Sequence, residues 1–425
     1  MMISSPSKLN GVVNIPASKS HTIRAVTLAV LSKGLSRVHN PLVSRDTEAI
    51  VIAARALGAD VDCSDESCWR LNGVGTDFNI LEPVIDIKNS GTTLYIMMSV
   101  MALNKNNPPI ILTGDEQTKK RPAQPLIDSL NQLGANIRSV NNNGCAPIEI
   151  RGILQGGETS IEAVTSQYLS SILIATPLAR NDSIVYVPVL YERPYIEMTL
   201  DWMNRYNIVY ETNKEFDLFR IKSNQSYRAL DSNLPGDFSS ATFFFVAGLI
   251  AGGEILIKGL DMNDTQGDKS VIDMLKKMGG RIDITDEGIR VYGSKLKGTK
   301  LDLNNTPDAL PALSVAACFA TGETILHNVP QARLKETDRI NAMCKVLSSL
   351  GADIEEMPDG LIIRKSELSG GTVDGFNDHR IVMSLAVAGF ASNEKIMITS
   401  DDAVDVTFPT FIELMSRLGA LIEND

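Results

Sequence analysis

Histidine, cysteine and long apolar runs are all scarce in this chain, and each scarcity removes a class of function. Only four histidines occur, His21, His39, His327 and His379, and no two are close enough for a HExxH-type metal site. A metal enzyme is therefore not expected. The five cysteines, Cys63, Cys68, Cys145, Cys318 and Cys344, are scattered, odd in number and free of any CxxC pair. Reduced thiols in a cytoplasmic protein are the expectation. No apolar run approaches the ~18 residues that would suggest a membrane span. The start, MMISSPSKLN, has no basic stretch leading into an apolar core, so no signal peptide is expected. Positive charge is in deficit too: 40 Lys and Arg against 51 Asp and Glu give a net charge of −11. That argues against a general binder of nucleic acid or anionic membrane, while leaving room for a local basic pocket. GSKLKGTK at 293–300 has the spacing of a phosphate loop but ends in Thr-Lys, where Lys followed by Ser or Thr is needed, so no nucleotide site is expected.

What is present is a repeat. The length, 425 residues, exceeds one ordinary core and points to two domains. LGADVD (57–62), LGANIR (133–138), YNIVYE (206–211), MGGRID (278–283), LGADIE (350–355) and LGALIE (418–423) recur about every 70 residues. An amphipathic stretch such as PLIDSLNQ or SVIDMLKK precedes them and ends at or near a glycine, which suits a helix C-cap. The alternating residues that follow read as a strand, often with a turn and a second strand, as in EMPDGLIIRK. Half a period away, six segments open on small or polar residues and run into helices apolar on nearly every side, which should be buried. Each unit is thus strand and helix, twice over. Six units make two lobes of three, with a boundary near residue 235.

The unusual residues fall in two places per unit. The buried-helix starts carry Lys19, Ser20 and Arg24; Asn89, Ser90, Gly91 and Thr92; Thr165, Ser166 and Gln167; Asp237, Ser239 and Ser240; Asp308; and Asn377, Asp378, His379 and Arg380. Helix starts attract anions. Plain capping is the bland reading, but capping does not need two cations, as in Lys19 with Arg24 or His379 with Arg380. The loops before the amphipathic helices carry Arg121, Arg193, Lys269 and the mixed set Lys335, Glu336 and Arg339. If repeats are equivalent in space, these cations converge on one face of each lobe and bind a small polyanion. Asp308 and Glu336 would then exchange protons with it. The alternatives are a helix cap for Asp308 and an ion pair with Arg339 for Glu336.

SKSHTIR, NSGTT, KKRP, SQYLSS, GDFSSA, PDALPAL, RLKETDR, NDHR and TFPTF occur in that order along the chain. In this it resembles the 5-enolpyruvylshikimate-3-phosphate synthase family over nearly its whole length. The resemblance implies an α/β fold of two lobes, each of three βαβαββ repeats (an inside-out α/β barrel). Lobe 1 would be 1–17 plus 236–425 and lobe 2 would be 18–235, with the active site in the cleft between them. It implies transfer of the enolpyruvyl group of phosphoenolpyruvate to the 5-hydroxyl of shikimate 3-phosphate, through a tetrahedral adduct that loses phosphate. That is a step of the shikimate pathway towards chorismate and the aromatic amino acids, with no metal or organic cofactor. A cytoplasmic monomer is expected. Lys19, Ser20 and Arg24 match shikimate 3-phosphate positions, with Lys19 also reaching phosphoenolpyruvate. Gly91, Arg121, Arg339 and Arg380 match phosphoenolpyruvate positions. Thr165, Ser166 and Gln167 match the shikimate-phosphate loop, and Asn89, Gln331, Lys335 and His379 complete the substrate-binding set. Asp308 matches the carboxylate that contacts the acceptor hydroxyl and acts in proton transfer, and Glu336 matches the second acid/base carboxylate. The division expected from this is that Asp308 takes the hydroxyl proton while Glu336, with Lys19, handles the proton at the methylene carbon.

Four departures stand out. Tyr95 holds a place where many relatives have arginine, Glu192 one where many have a phosphate-touching serine, Val406 one where some have lysine, and Gln331 one where an asparagine is found that also varies. A carboxylate beside a phosphate is repulsive, so Glu192 either points away or the acceptor differs. One alternative is a paralogous transferase for another shikimate-like acceptor. Another is a non-catalytic binding homologue, against which Lys19, Asp308, Glu336 and Arg380 argue together. The related UDP-N-acetylglucosamine transferases carry a reactive cysteine before an Arg-Pro, and TGDEQTKKRP has none.

Overall fold

The computed structural model describes residues 1–105 and 109–424. The chain forms two compact units, one of Met1–Pro16 and Gly236–Asp425, the other of Ala17–Pro235. Twelve α-helices occur among the described residues. The first unit in chain order to supply them is Ala17–Pro235: α1 (Lys19–Leu31), α2 (Arg45–Ala56), α3 (Gly91–Met101), α4 (Gln124–Gln132), α5 (Ser166–Ala175) and α6 (Arg193–Arg205). The other unit holds α7 (Phe238–Ile250), α8 (Val271–Lys277), α9 (Leu310–Cys318), α10 (Arg339–Ser349), α11 (His379–Ala391) and α12 (Phe411–Arg417). No described helix is long and apolar enough to cross a membrane.

Odd and even helices differ as their sequences demand. The odd ones are apolar on every side and nearly wholly buried. In the first unit α3 touches both α1 and α5, and in the second α7, α9 and α11 touch one another. The run Phe243-Phe244-Phe245 of α7 points in three directions and is buried in all of them. Phe408 and Phe411, from the TFPTF motif, pack on Phe244, and Phe411 also on Phe243. Those aromatics therefore serve the core, where truncating one phenylalanine costs about 3–5 kcal/mol. The even helices bury one stripe. Each is followed by a left-handed residue: Gly58, Gly134, Asn207, Gly279, Gly351 and Gly419 have φ between 56° and 93°. That conformation stops a helix, and glycine or asparagine adopts it at least cost.

The βαβαββ order is plainest at 84–151. Val84–Asp86 and Ile110–Thr113 run parallel, joined across α3, and the antiparallel pair Asn136–Ser139 and Ile148–Arg151 follows α4. A parallel pair requires such a crossover, whereas the antiparallel pair needs only a turn. All six sheets among the described residues combine these two kinds of pairing. In three of them a strand comes from far along the chain. Tyr227–Arg228 and Asp231–Asn233 pair with Ser32–His39. Leu9–Asn14 pairs with Gly253–Lys258. Met2–Ser5 lies between Ile396–Thr399 and Leu421–Asn424.

Candidate active site

In the unit that contains both termini, the first residue of α10 organises a charge cluster. Asp338 caps this helix by accepting from Asn341 N at 3.0 Å, so Arg339 begins the first turn with its side chain 1% exposed. Its Nε donates to Asp378 Oδ2 at 2.8 Å, Nη1 to Asp308 Oδ1 at 2.7 Å and Nη2 to Glu336 Oε2 at 2.6 Å. Asp378 is the N-cap of α11 and also accepts from Arg380 N at 2.9 Å. Arg380 Nη2 in turn meets Asp308 Oδ2 at 3.0 Å. Each oxygen of Asp308 thus faces a different guanidinium. Burial would push the Asp308 carboxyl up, but the charges of Arg380, Lys335 and Arg339 outweigh burial and hold it far below the usual carboxylate range. Arg339 is the converse: burial opposes its charge, and Asp378, Glu336 and Asp308 raise its proton affinity beyond that of a free guanidinium. Asp308 sits in a short turn, Pro307–Ala309, and does not cap α9. The Glu336–Arg339 pair forms, but as one arm of a network with three carboxylates. Gln331 donates to Asn304 O at 2.8 Å, and His379, the first residue of α11, is buried. Arg333 points elsewhere, to Asp338 and Glu356.

In the other unit the candidates lie at three helix starts. Lys19 opens α1 and pairs with Asp46 at 2.7 Å, from the first turn of α2. Arg24, one turn on, is 2% exposed. It donates to Thr199 Oγ1, to Ser170 Oγ and to the carbonyls of Ser20 and Tyr195. Burial, offset in part by Tyr195, pulls its guanidinium down to about 10. At α3, Asn89 donates to Asp115 and Gln117, both at 2.6 Å. Gly91 has Arg121 against it so closely that an added Cβ would stand 1.9 Å from Nη1. At α5, Thr165 is the N-cap, and Gln167 Nε2 donates to Thr92 Oγ1 of α3 at 3.0 Å. The Ser166 N–H and hydroxyl both donate to Glu192 Oε2, at 3.0 and 2.7 Å.

Several cations expected to await a ligand are answered by the protein. Arg193 pairs with Glu197 and lies 4.2 Å over the Phe216 ring. Lys269 Nζ donates to the carbonyls of Met262 and Asp264. A flexible side chain finds local acceptors that a motif cannot foresee. At the start of α1, Lys19 likewise receives a counter-charge from Asp46.

The chain matches the family model described as EPSP synthase (3-phosphoshikimate 1-carboxyvinyltransferase) over residues 3–415. The chain belongs to the EPSP synthase family. It is 48% identical over 418 residues to the 3-phosphoshikimate 1-carboxyvinyltransferase of Acetivibrio thermocellus, covering 98% of both chains. It is 37% identical over 430 residues to that of Methanococcus maripaludis, covering 100% of this chain and 99% of the relative. Its fold superposes on an EPSP synthase structure from Acinetobacter baumannii with a TM-score of 0.82 at 27% identity, covering 99% of each chain.

For a member of the EPSP synthase family, three residues around the candidates were not anticipated as partners. Asp46, in the first turn of α2, is the partner of Lys19. Asp378 was read as one of a capping group, yet it takes two bonds from Arg339. Tyr168 meets Tyr95 edge-on, ring centroids 4.9 Å apart, and both hydroxyls donate to Pro122 O, directly after Arg121.

Proposed function

We infer that the chain catalyses the reaction of its family, moving the enolpyruvyl group of phosphoenolpyruvate to the 5-hydroxyl of shikimate 3-phosphate. The acceptor oxygen adds to C2 of phosphoenolpyruvate while a proton adds to its methylene carbon. The tetrahedral adduct then loses phosphate and a proton from that carbon, restoring the double bond.

The observation that carries residue roles is the bridging of Asp308 by Arg339 and Arg380, with Glu336 on the same guanidinium. In the free protein those cations keep Asp308 a weak base. An anionic donor such as phosphoenolpyruvate, held by Arg380, Lys335 and Arg339, would offset their charge and raise the proton affinity of Asp308. Asp308 then becomes able to take the hydroxyl proton as the substrates assemble. Glu336 and Lys19 are assigned the proton at the methylene carbon, as a coupled set rather than as independent groups. Lys19, Ser20, Arg24, Thr165, Ser166 and Gln167 are assigned to the acceptor. Gly91, Arg121, Arg339 and Arg380 are assigned to the donor, with Asn89, Gln331, Lys335 and His379 around them. Phosphate release with phosphoenolpyruvate is measured with shikimate 3-phosphate and with unphosphorylated shikimate; release with the latter alone overturns the acceptor. A cytoplasmic monomer is the setting this reading favours, and light scattering during size-exclusion chromatography tests the monomer.

A further inference from the structure

Glu192 does not point away from the acceptor loop. Its side chain is buried, 2% exposed, and Oε2 takes both donors of Ser166 and lies 3.4 Å from the Thr165 hydroxyl. The backbone there is left-handed, φ 57° and ψ 40°, which a residue with a long side chain adopts at a cost. Glu192 also belongs to the two-residue link, 191–192, between the strand Ser183–Leu190 and α6. Its side chain can therefore turn without moving either element. A carboxylate and a phosphate ester seek the same partners, N–H and hydroxyl donors. They cannot share them closely, since like charges repel.

We propose that Glu192 is an internal competitor for the phosphate of the acceptor. In the free protein it holds the Thr165–Ser166 donors, and shikimate 3-phosphate binds by displacing it. This rests on the acceptor reading above. It makes Glu192 a specificity-determining residue: an acceptor without phosphate brings nothing to replace the carboxylate and leaves it seated.

Two substitutions test this in the full-length protein. Glu192→Gln keeps the shape and one acceptor oxygen but removes the charge, and Glu192→Ser also removes the arm. The KM for shikimate 3-phosphate is expected to fall in both, by about tenfold in Glu192→Ser, while the KM for phosphoenolpyruvate stays within about twofold. Inorganic phosphate should compete with shikimate 3-phosphate more strongly in both variants. A KM for shikimate 3-phosphate that is unchanged or raised in both, with a lowered unfolding temperature, overturns the proposal and makes Glu192 a helix cap alone. Turnover of wild type with unphosphorylated shikimate only would instead overturn the acceptor reading. Calorimetry with inorganic phosphate then decides the competition: tighter binding to Glu192→Ser than to wild type sustains it, and equal binding overturns it.

Discussion

The start of α10 and the start of α5 both seat a glutamate on buried donors, but the donors differ. Glu336 sits on a guanidinium that also holds Asp308 and Asp378. Glu192 sits on a neutral N–H and a hydroxyl of Ser166. The first arrangement is a set of full charges that need one another, and removing one leaves its neighbours under-compensated in a buried place. The second includes neutral donors and a partial helix charge, which another anion can also use. A fixed scaffold and an exchangeable seat can thus be built from the same side chain.

The largest effect should come from breaking the fixed scaffold. Arg339→Ala leaves Asp308, Glu336 and Asp378 without their common partner, which is expected to cost about 3–5 kcal/mol of stability and to abolish measurable turnover. Urea unfolding followed by circular dichroism checks the first part. Arg339→Lys keeps the charge but not the fork, and should recover stability in part and activity little.

Next come the carboxylates themselves. Asp308→Asn and Glu336→Gln are each expected to lower kcat by about 10²–10⁴, and unaltered turnover in both would remove them from the chemistry. Asp308 also gives a pH signature. Its folded carboxyl is held below its unfolded value, so its ionisation stabilises the fold fully above about pH 4, and that stability is lost as pH falls towards the folded value. The stability difference between wild type and Asp308→Asn should therefore shrink below about pH 4, in melts recorded from neutral to acid.

Much of this was legible beforehand. The six buried helices and the glycine after most amphipathic ones follow from local composition, and the Glu336–Arg339 pair was anticipated from its three-residue spacing, although Glu336 precedes α10 and is not part of it. The closing strands were not legible. Tyr227–Arg228 and Asp231–Asn233 have two and three residues, too few for alternation to register, and their partner lies nearly 200 residues back. Local pairs were also hidden: Lys19 with Asp46, Lys269 with two carbonyls and Arg193 with Glu197 depend on which neighbour the fold brings near. Whether Glu192 points towards or away from the Thr165–Ser166 loop also needed coordinates.

A smaller effect tests whether the α3 start is fixed or exchangeable. Gly91→Ala places a methyl where Arg121 Nη1 now lies, so the guanidinium must shift. A displacement near 1 Å can cost up to about 100-fold in rate. The expected result is a KM for phosphoenolpyruvate raised by about ten- to a hundredfold, with little change in the KM for shikimate 3-phosphate. Equal change in both would mean that Arg121 serves the whole site and not one substrate.

The smallest effect concerns Tyr95, which packs edge-on against Tyr168. Its hydroxyl donates to Pro122 O at 3.0 Å, and Tyr168 donates to the same carbonyl. One acceptor with two lone pairs is thus saturated by two buried phenols, which pins the chain next to Arg121. Tyr95→Phe removes one bond and leaves the ring packing, so about 1 kcal/mol of stability should be lost. Because Tyr168 still holds the carbonyl, the KM for phosphoenolpyruvate should rise less than about threefold. In Tyr95→Phe/Tyr168→Phe the carbonyl loses both donors, and the KM should rise by more than the product of the single effects. Simple additivity would show that the two phenols stabilise the core without positioning Arg121.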